Sequence, residues 1–309
     1  MYSRKEIKMA TINIPKSKKK RLSDNVKTSI FLSPTFILLL IFFLTPMLLT
    51  IFFSFTNLAL TGSQASNLEF IGFENFINMF QDTTLYNSIG KTLIFVLFSA
   101  VLGQCLLGFI IAFLMRGKHP ALRRFVGISV VAAWVTPEVV VAFCWVVFLG
   151  DNGTLNNVLA ALTSIEPIAF LFEYPMVSVV IANIWRGTAF SMLAFQTALD
   201  DIPVEVEEAA IIDGASRWKI VKNVTIPMLK GTFTTNLMLV TLQTLGVFTL
   251  IYTMTGGGPG GDTMVLPVFM YQQAFVSYQL GYGTAISLII LLIGGIFSLV
   301  YMKFLKVKI

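Results

Sequence analysis

The chain has 309 residues, of which 56% are hydrophobic and only 12% charged, with 28 phenylalanines and a mean hydropathy of +0.80. A water-soluble domain of this length needs far more surface charge, so the composition excludes a soluble globular protein and calls for a membrane. The net charge of +6 would suit a nucleic-acid binder, whereas two cysteines and one histidine are too few for a disulfide framework or a Cys/His metal site.

Residues 1–29 read as a polar, basic tail with Lys16, Lys18, Lys19, Lys20, Arg21 and Lys27. The apolar run that follows, about 30–53, is too long for a signal-peptide core and lacks a small-residue cleavage site, which predicts a retained span. Pro34 and Pro46 inside it are tolerable in a membrane helix. In the next segment Phe73, Phe76, Ile77 and Phe80 fall on one helical face, predicting a short amphipathic helix at the membrane surface. Further apolar runs at about 92–115, 125–149, 176–198, 232–254 and 283–305 each reach the ~20 residues that span a bilayer. The expected fold is therefore an all-α polytopic membrane protein with six transmembrane helices in one domain over 30–306. Gly103, Gly108 and Ala112 in the second span, and Gly294 and Gly295 in the sixth, predict close helix packing.

The basic residues orient the spans. Of 22 Lys and Arg, nine lie in the N-terminal tail, four in 116–124, four in 217–230 and three at the C-terminus, 20 in all; the alternate segments 54–90, 150–175 and 255–282 contain none. By the positive-inside rule both termini and the loop 199–230 are expected in the cytoplasm. The same distribution argues against nucleic acid, because the basic patches flank spans instead of forming a groove.

Two ionisable residues fall well inside spans, Glu138 in the third and Arg186 in the fourth. Counted from the expected inner boundary at about 1.5 Å per residue, both sit at similar depth. An intramembrane charge costs ~2.5–3.5 kcal/mol, so the two are expected either to form a buried ion pair or to line a polar pathway. Asn183 and Trp185 in span four, and Asn236, Thr241, Gln243, Thr244 and Phe248 in span five, supply amides, hydroxyls and aromatic faces. They are candidates for contacting a polar cargo, although such residues also join helices to one another.

The longest charged stretch between spans is 199–230. It reads as two short helices joined by a bend: Asp200 or Asp201 as first cap, Pro203 in the first turn, and Glu205, Glu207 and Glu208 near the positive end of the dipole. Gly214 permits the turn, Ser216 caps the second helix and Pro227 ends it. The small Ala209 and Ala210 would let another protein approach the backbone. The glycine-rich stretch Thr255–Thr263 carries no Gly-Lys-Ser/Thr signature and reads as a turn, not a phosphate cradle.

Glu208-Ala209-Ala210, with Asp213, Gly214 and then Val224-Thr225-Ile226-Pro227, resembles the EAA loop of binding-protein-dependent ABC importer permeases, with Val224 and Ile226 as conservative departures. The segment from Thr255 through Gly257, Gly258 and Pro259 to Thr263, continued by Tyr271, Ala274 and Phe275, resembles the first permease subunit of the maltose, glycerol-phosphate and multiple-sugar type. The resemblance covers about 30–306. It implies a type I ABC importer permease fold with alternating access, in a bacterial or archaeal cytoplasmic membrane. It also implies a heterodimer with a second permease, a cytoplasmic ATPase dimer, an extracytoplasmic solute-binding protein and a sugar substrate. Glu205, Glu208, Ala209, Ala210, Asp213, Gly214 and Arg217 would then form the ATPase-coupling element. ATP and magnesium would sit on the partner, with no cofactor, metal or catalytic site on this chain. An ion-gradient-driven transporter or channel is the alternative, although no inverted repeat relates 30–150 to 170–306.

Overall fold

The structure, a computed structural model, describes residues 24–163 and 166–305. Most of the basic tail and the last lysines, Lys306 and Lys308, lie outside the described residues. The chain divides into two units, Met1–Leu49 and Thr50–Ile309. Among the described residues the structure is helical, apart from one antiparallel bridge between Thr56 and Phe70.

Among the described residues five helices are long and apolar enough to cross a membrane: Thr28–Phe53 (α1), Thr83–Met115 (α3), Glu138–Thr163, Pro175–Asp200 (α7) and Leu280–Lys303. A bent pair, Lys230–Leu245 (α10) and Thr249–Thr255 (α11), makes a sixth. The amphipathic Glu74–Gln81 (α2) precedes α3. Its Asn75 side chain donates to the carbonyls of Ser54 and Thr56, both at 2.9 Å, pinning the helix to the chain before it while Phe73, Ile77 and Phe80 stay exposed.

Two of the expected spans are not continuous. The run 125–149 is interrupted between Pro120–Val135 (α4) and Glu138–Leu149 (α5), with Thr136 extended at ψ 132°. Pro137 is the cause, since its ring disfavours the helical conformation for the residue before it. Segment Glu138–Thr163 then turns at Gly150–Gly153 before Thr154–Thr163 (α6). The run 232–254 bends by 47° at Gly246–Phe248, where the backbone leaves the helix. The remaining elements are Val204–Ile212 (α8), Arg217–Ile220 (α9), Leu266–Tyr271 (α12) and Leu280–Leu305 (α13).

The spine of the molecule is α7 against α3. Cys105 and Ala112 pack with Met192, Phe195, Leu199 and Leu229 in one core cluster, and the Phe195 and Phe233 rings meet tilted with centroids 4.5 Å apart. Small residues on α3 make this approach possible. A Cβ on Gly108 would overlap the Cβ of Ser191 and sit 2.7 Å from the Met192 backbone nitrogen. Gly108→Val is therefore expected to force the two helices apart, lowering the yield of folded chain severalfold in detergent extracts, whereas Gly127→Ala, in helical backbone with open space around it, retains most of the yield. The expectation for the last span is corrected. A Cβ on Gly295 would meet nothing within 4 Å and one on Gly294 only an ordinary contact at 3.4 Å, so those glycines are not a packing seam among the described residues.

Candidate functional site

The bend at 199–217 is presented as an exposed helix held from one side. Helix α8 begins after Pro203, which is itself the N-cap and offers no side-chain cap. The expected cap by Asp200 or Asp201 is corrected: Asp200 is the last residue of α7 and its carboxylate pairs with Arg123. Gly214 has φ +77°, a left-handed conformation that costs a side chain energy, and it turns the chain back. Ser216 accepts the Lys219 amide at 3.4 Å and so caps α9. Pro227 does not end the second helix. The chain continues through Val221–Thr225 and Ile226–Met228 and, after Leu229, into α10.

On α8, Glu205, Glu208 and Ile212 fall on one stripe and Val204, Glu207 and Ile211 on another. Glu207 forms an ion pair with Arg116 at the end of α3, which fixes which way the helix is turned. Glu205, Glu208, Ala209, Asp213 and Arg217 are exposed and Ala210 is half-buried. Ile212 of α8 is 85% exposed and Trp218 of α9 73% exposed, a large apolar area for a bend carrying this much charge.

The helix that follows the first break packs against the segment at and after the second. Val141 and Ala142 of α5 share a core cluster with Val247, Leu250 and Ile251, which follow the bend of α10 and α11, and with Val179 and Ala182 of α7. Arg186 on α7 places Nη1 3.8 Å from Oε1 of Glu138, the first residue of α5. Both side chains are about three-quarters buried, at 26% and 24% exposure, and Arg186 Nε is buried without a hydrogen-bond partner. Irregular backbone at membrane depth is tolerated where protein or a water-filled cavity covers it, and half-helices meeting there are a common way to build a transport site.

The polar candidates divide by burial. Asn183 donates to Ser99 Oγ at 3.0 Å, and its own carbonyl accepts from Gln104 Nε2 at 3.2 Å. Asn236 donates to Ser191 Oγ at 3.0 Å, while Thr241 lies 3.0 Å from the Tyr301 hydroxyl. Thr244 is also buried. Asn183, Asn236 and Thr241 thus make contacts between helices within the chain, while Asn236 Oδ1 is buried without a hydrogen-bond partner. Trp185 and Gln243 are exposed, and Phe248 is half-buried in a run of rings: 5.1 Å to Tyr252, 4.7 Å to Tyr271, with Phe275 5.3 Å beyond. Ser99, Gln104 and Ser191 escaped sequence reasoning because a polar residue in an apolar run does not name its partner on another helix.

Lys91 was also unforeseen. It donates to the Gly261 carbonyl at 2.6 Å and lies 3.8 Å from Asp262. The Thr255 and Thr263 hydroxyls are 2.6 Å apart, and Thr92 accepts the Leu266 amide at 2.8 Å. The glycine-rich stretch is therefore a tied loop, followed by the buried start of α12.

Residues 104–306 match the family described as "Binding-protein-dependent transport system inner membrane component". The chain belongs to this family. Among curated permease proteins it is 34% identical to that of a multiple sugar-binding transport system from Streptococcus mutans, over 89% of this chain and 94% of that one. It is 29% identical to that of a sulfoquinovosyl glycerol transport system from Agrobacterium fabrum, over 93% and 92%. The fold of this permease matches a chain of a bacterial alginate ABC transporter, solved in complex with an alginate pentasaccharide-bound periplasmic protein. The TM-score is 0.79 at 23% identity, covering 94% of this chain and 100% of that one. Family and fold together make the protein a multi-pass membrane component of a transport system.

Proposed function

We propose that this chain is the first of two permease subunits of an ATP-driven ABC importer that takes a sugar or oligosaccharide from an extracytoplasmic binding protein. The names of its relatives, which include multiple-sugar and trehalose/maltose systems, support the cargo class. In this reading the end bearing Arg116, Arg123 and α8 faces the cytoplasm, in accord with the distribution of basic residues. A cytoplasmic ATPase dimer, carrying ATP and magnesium, docks on Glu205, Glu208, Ala209, Ala210, Asp213 and Gly214, while Arg217 lines the recess beside Lys118. Closure of the ATPases pushes α8, and the Arg116–Glu207 pair passes the displacement to α3 and from there to α7. The spans then alternate between inward- and outward-facing arrangements, and the chain performs no covalent chemistry of its own.

The observation that carries this reading is the bend itself: α8 is tethered by one stripe, and its Ile212 is exposed, as is Trp218 of α9, on a surface that a partner would desolvate. For the cargo, the exposed Trp185 and Gln243 and the ring series beginning at Phe248 offer the stacking faces and amide groups that saccharides need, with Arg186 beside them in sequence. The test is co-expression with the adjacent reading frames. The ATPase is expected to co-purify with the wild-type chain and to be lost from Ile212→Glu, which buries a charge in the docking face. Sugar uptake by the chain alone in liposomes, driven by an ion gradient, would overturn the proposal.

A further inference from the structure

A cavity of about 640 Å³ lies between the end of α3 and the inner stripe of α8. Its walls combine two chemistries. Arg116, Lys118 and Arg217 bring three cations against one carboxylate, Glu207, which already pairs with Arg116. Val204, Ile211 and Ile220 supply aliphatic surface, and Val204 and Ile211 are 62% and 61% exposed although they point into a recess. Lys118 and Arg217 have no ion-pair or hydrogen-bond partner for their side chains among the described residues.

An occupant must therefore be anionic at one end and apolar at the other. The position of the cavity selects among such molecules. The apolar stretch Leu106–Met115 of α3 runs directly into Arg116 and Lys118, so the cations stand where a hydrocarbon layer gives way to headgroups. Basic pockets between helices at this level suit anionic lipid headgroups. Glu205, Glu208 and Ile212 belong to the neighbouring stripe of α8, about 100° round the helix from Val204, Glu207 and Ile211, so an ATPase docked on that stripe and an occupant of the recess meet different faces. We propose that the cavity holds an anionic phospholipid, its phosphate between Lys118 and Arg217 and an acyl chain along Val204 and Ile211. The lipid wedges α8 against α3 and sets how stiffly the docking helix is mounted. The inference rests on the cytoplasmic placement of this end in the importer reading.

The experiment uses the whole complex, co-expressed with its partners and reconstituted in nanodiscs of equimolar phosphatidylglycerol and phosphatidylcholine. Lipid retained after mild detergent extraction is counted by native mass spectrometry. The wild-type complex is expected to retain phosphatidylglycerol selectively, and Lys118→Ala to lower that retention by about fivefold, the worth of one basic residue at a charged surface. Val204→Asp, which spoils only the aliphatic wall, should release the same lipid with the ATPase still attached. Unchanged selectivity in both variants overturns the proposal. Displacement of the lipid by excess inorganic phosphate also overturns it, because the recess would then be a phosphate site indifferent to the acyl chain. Absence of the ATPase from the wild-type preparation would instead sink the importer reading, and the lipid count on the purified chain would still decide this one.

Discussion

Glu208→Lys is expected to leave the chain inserted and folded while uptake through the assembled importer collapses. Glu208 is exposed on α8 and has no ion-pair or hydrogen-bond partner for its carboxylate among the described residues, so nothing inside the chain depends on its charge. Reversal of a charge that meets a partner at a desolvated interface costs about 2 kcal/mol or more, roughly thirtyfold in docking affinity. Gly214→Pro should reach the same end by a different route. At φ +77° the turn after α8 is closed to proline, whose ring holds φ near −65°, so the helix would point elsewhere. Both variants should keep normal membrane yield and ATPase expression. Cargo-stimulated ATP hydrolysis and uptake are the readouts, and normal uptake by either variant would remove α8 from the coupling mechanism.

Arg186→Gln and Glu138→Gln are expected to be worse singly than together. Each single change leaves the other charge about three-quarters buried at membrane depth without its counter-ion, at a cost of ~2.5–3.5 kcal/mol. The double variant leaves two neutral amides that can hydrogen-bond across the same gap. Thermal unfolding of the detergent-purified chain should therefore rank wild type above the double variant, and the double variant above both singles. If both singles instead assemble normally and change cargo preference, the two residues line the pathway and their 3.8 Å approach is not structural. The buried, unpartnered Arg186 Nε makes this comparison informative, since one donor is left for a hydroxyl to claim.

The helical, membrane-spanning character of the chain was legible in the residues because it is a one-dimensional property. Apolar runs of sufficient length, and cations confined to alternate connections, follow from the cost of taking peptide groups and charges into hydrocarbon, and neither depends on what packs against what. The acidic stripe of α8, the turn at Gly214 and the cap at Ser216 were readable for a similar reason, being set by residues a few positions apart. Where local signals failed, a tertiary contact or a backbone preference had intervened. Asp200 looked like a cap but is drawn to Arg123, and Pro227 looked like a stop but is carried through a wider turn. Thr136-Pro137 and Gly246–Phe248 sit inside runs whose hydropathy is continuous; at the first the proline ring breaks the helix, a backbone preference that hydropathy does not register, and at the second the chain bends by 47°.

Partner choice was decided by tertiary structure alone. The partners of Asn183 and Asn236 are Ser99 and Ser191, 84 and 45 residues away in sequence, contacts that only the folded bundle makes. The Arg116–Glu207 tether and the recess behind it bring together residues 91 positions apart, a separation that no periodicity encodes. The sequence by itself therefore determined that the chain is a set of membrane helices with a charged bend, because solvation acts on each residue where it stands. Which polar groups are spent on packing and which stay free for a partner was decided only by the folded bundle, because hydrogen bonds and ion pairs belong to pairs of residues, not to runs.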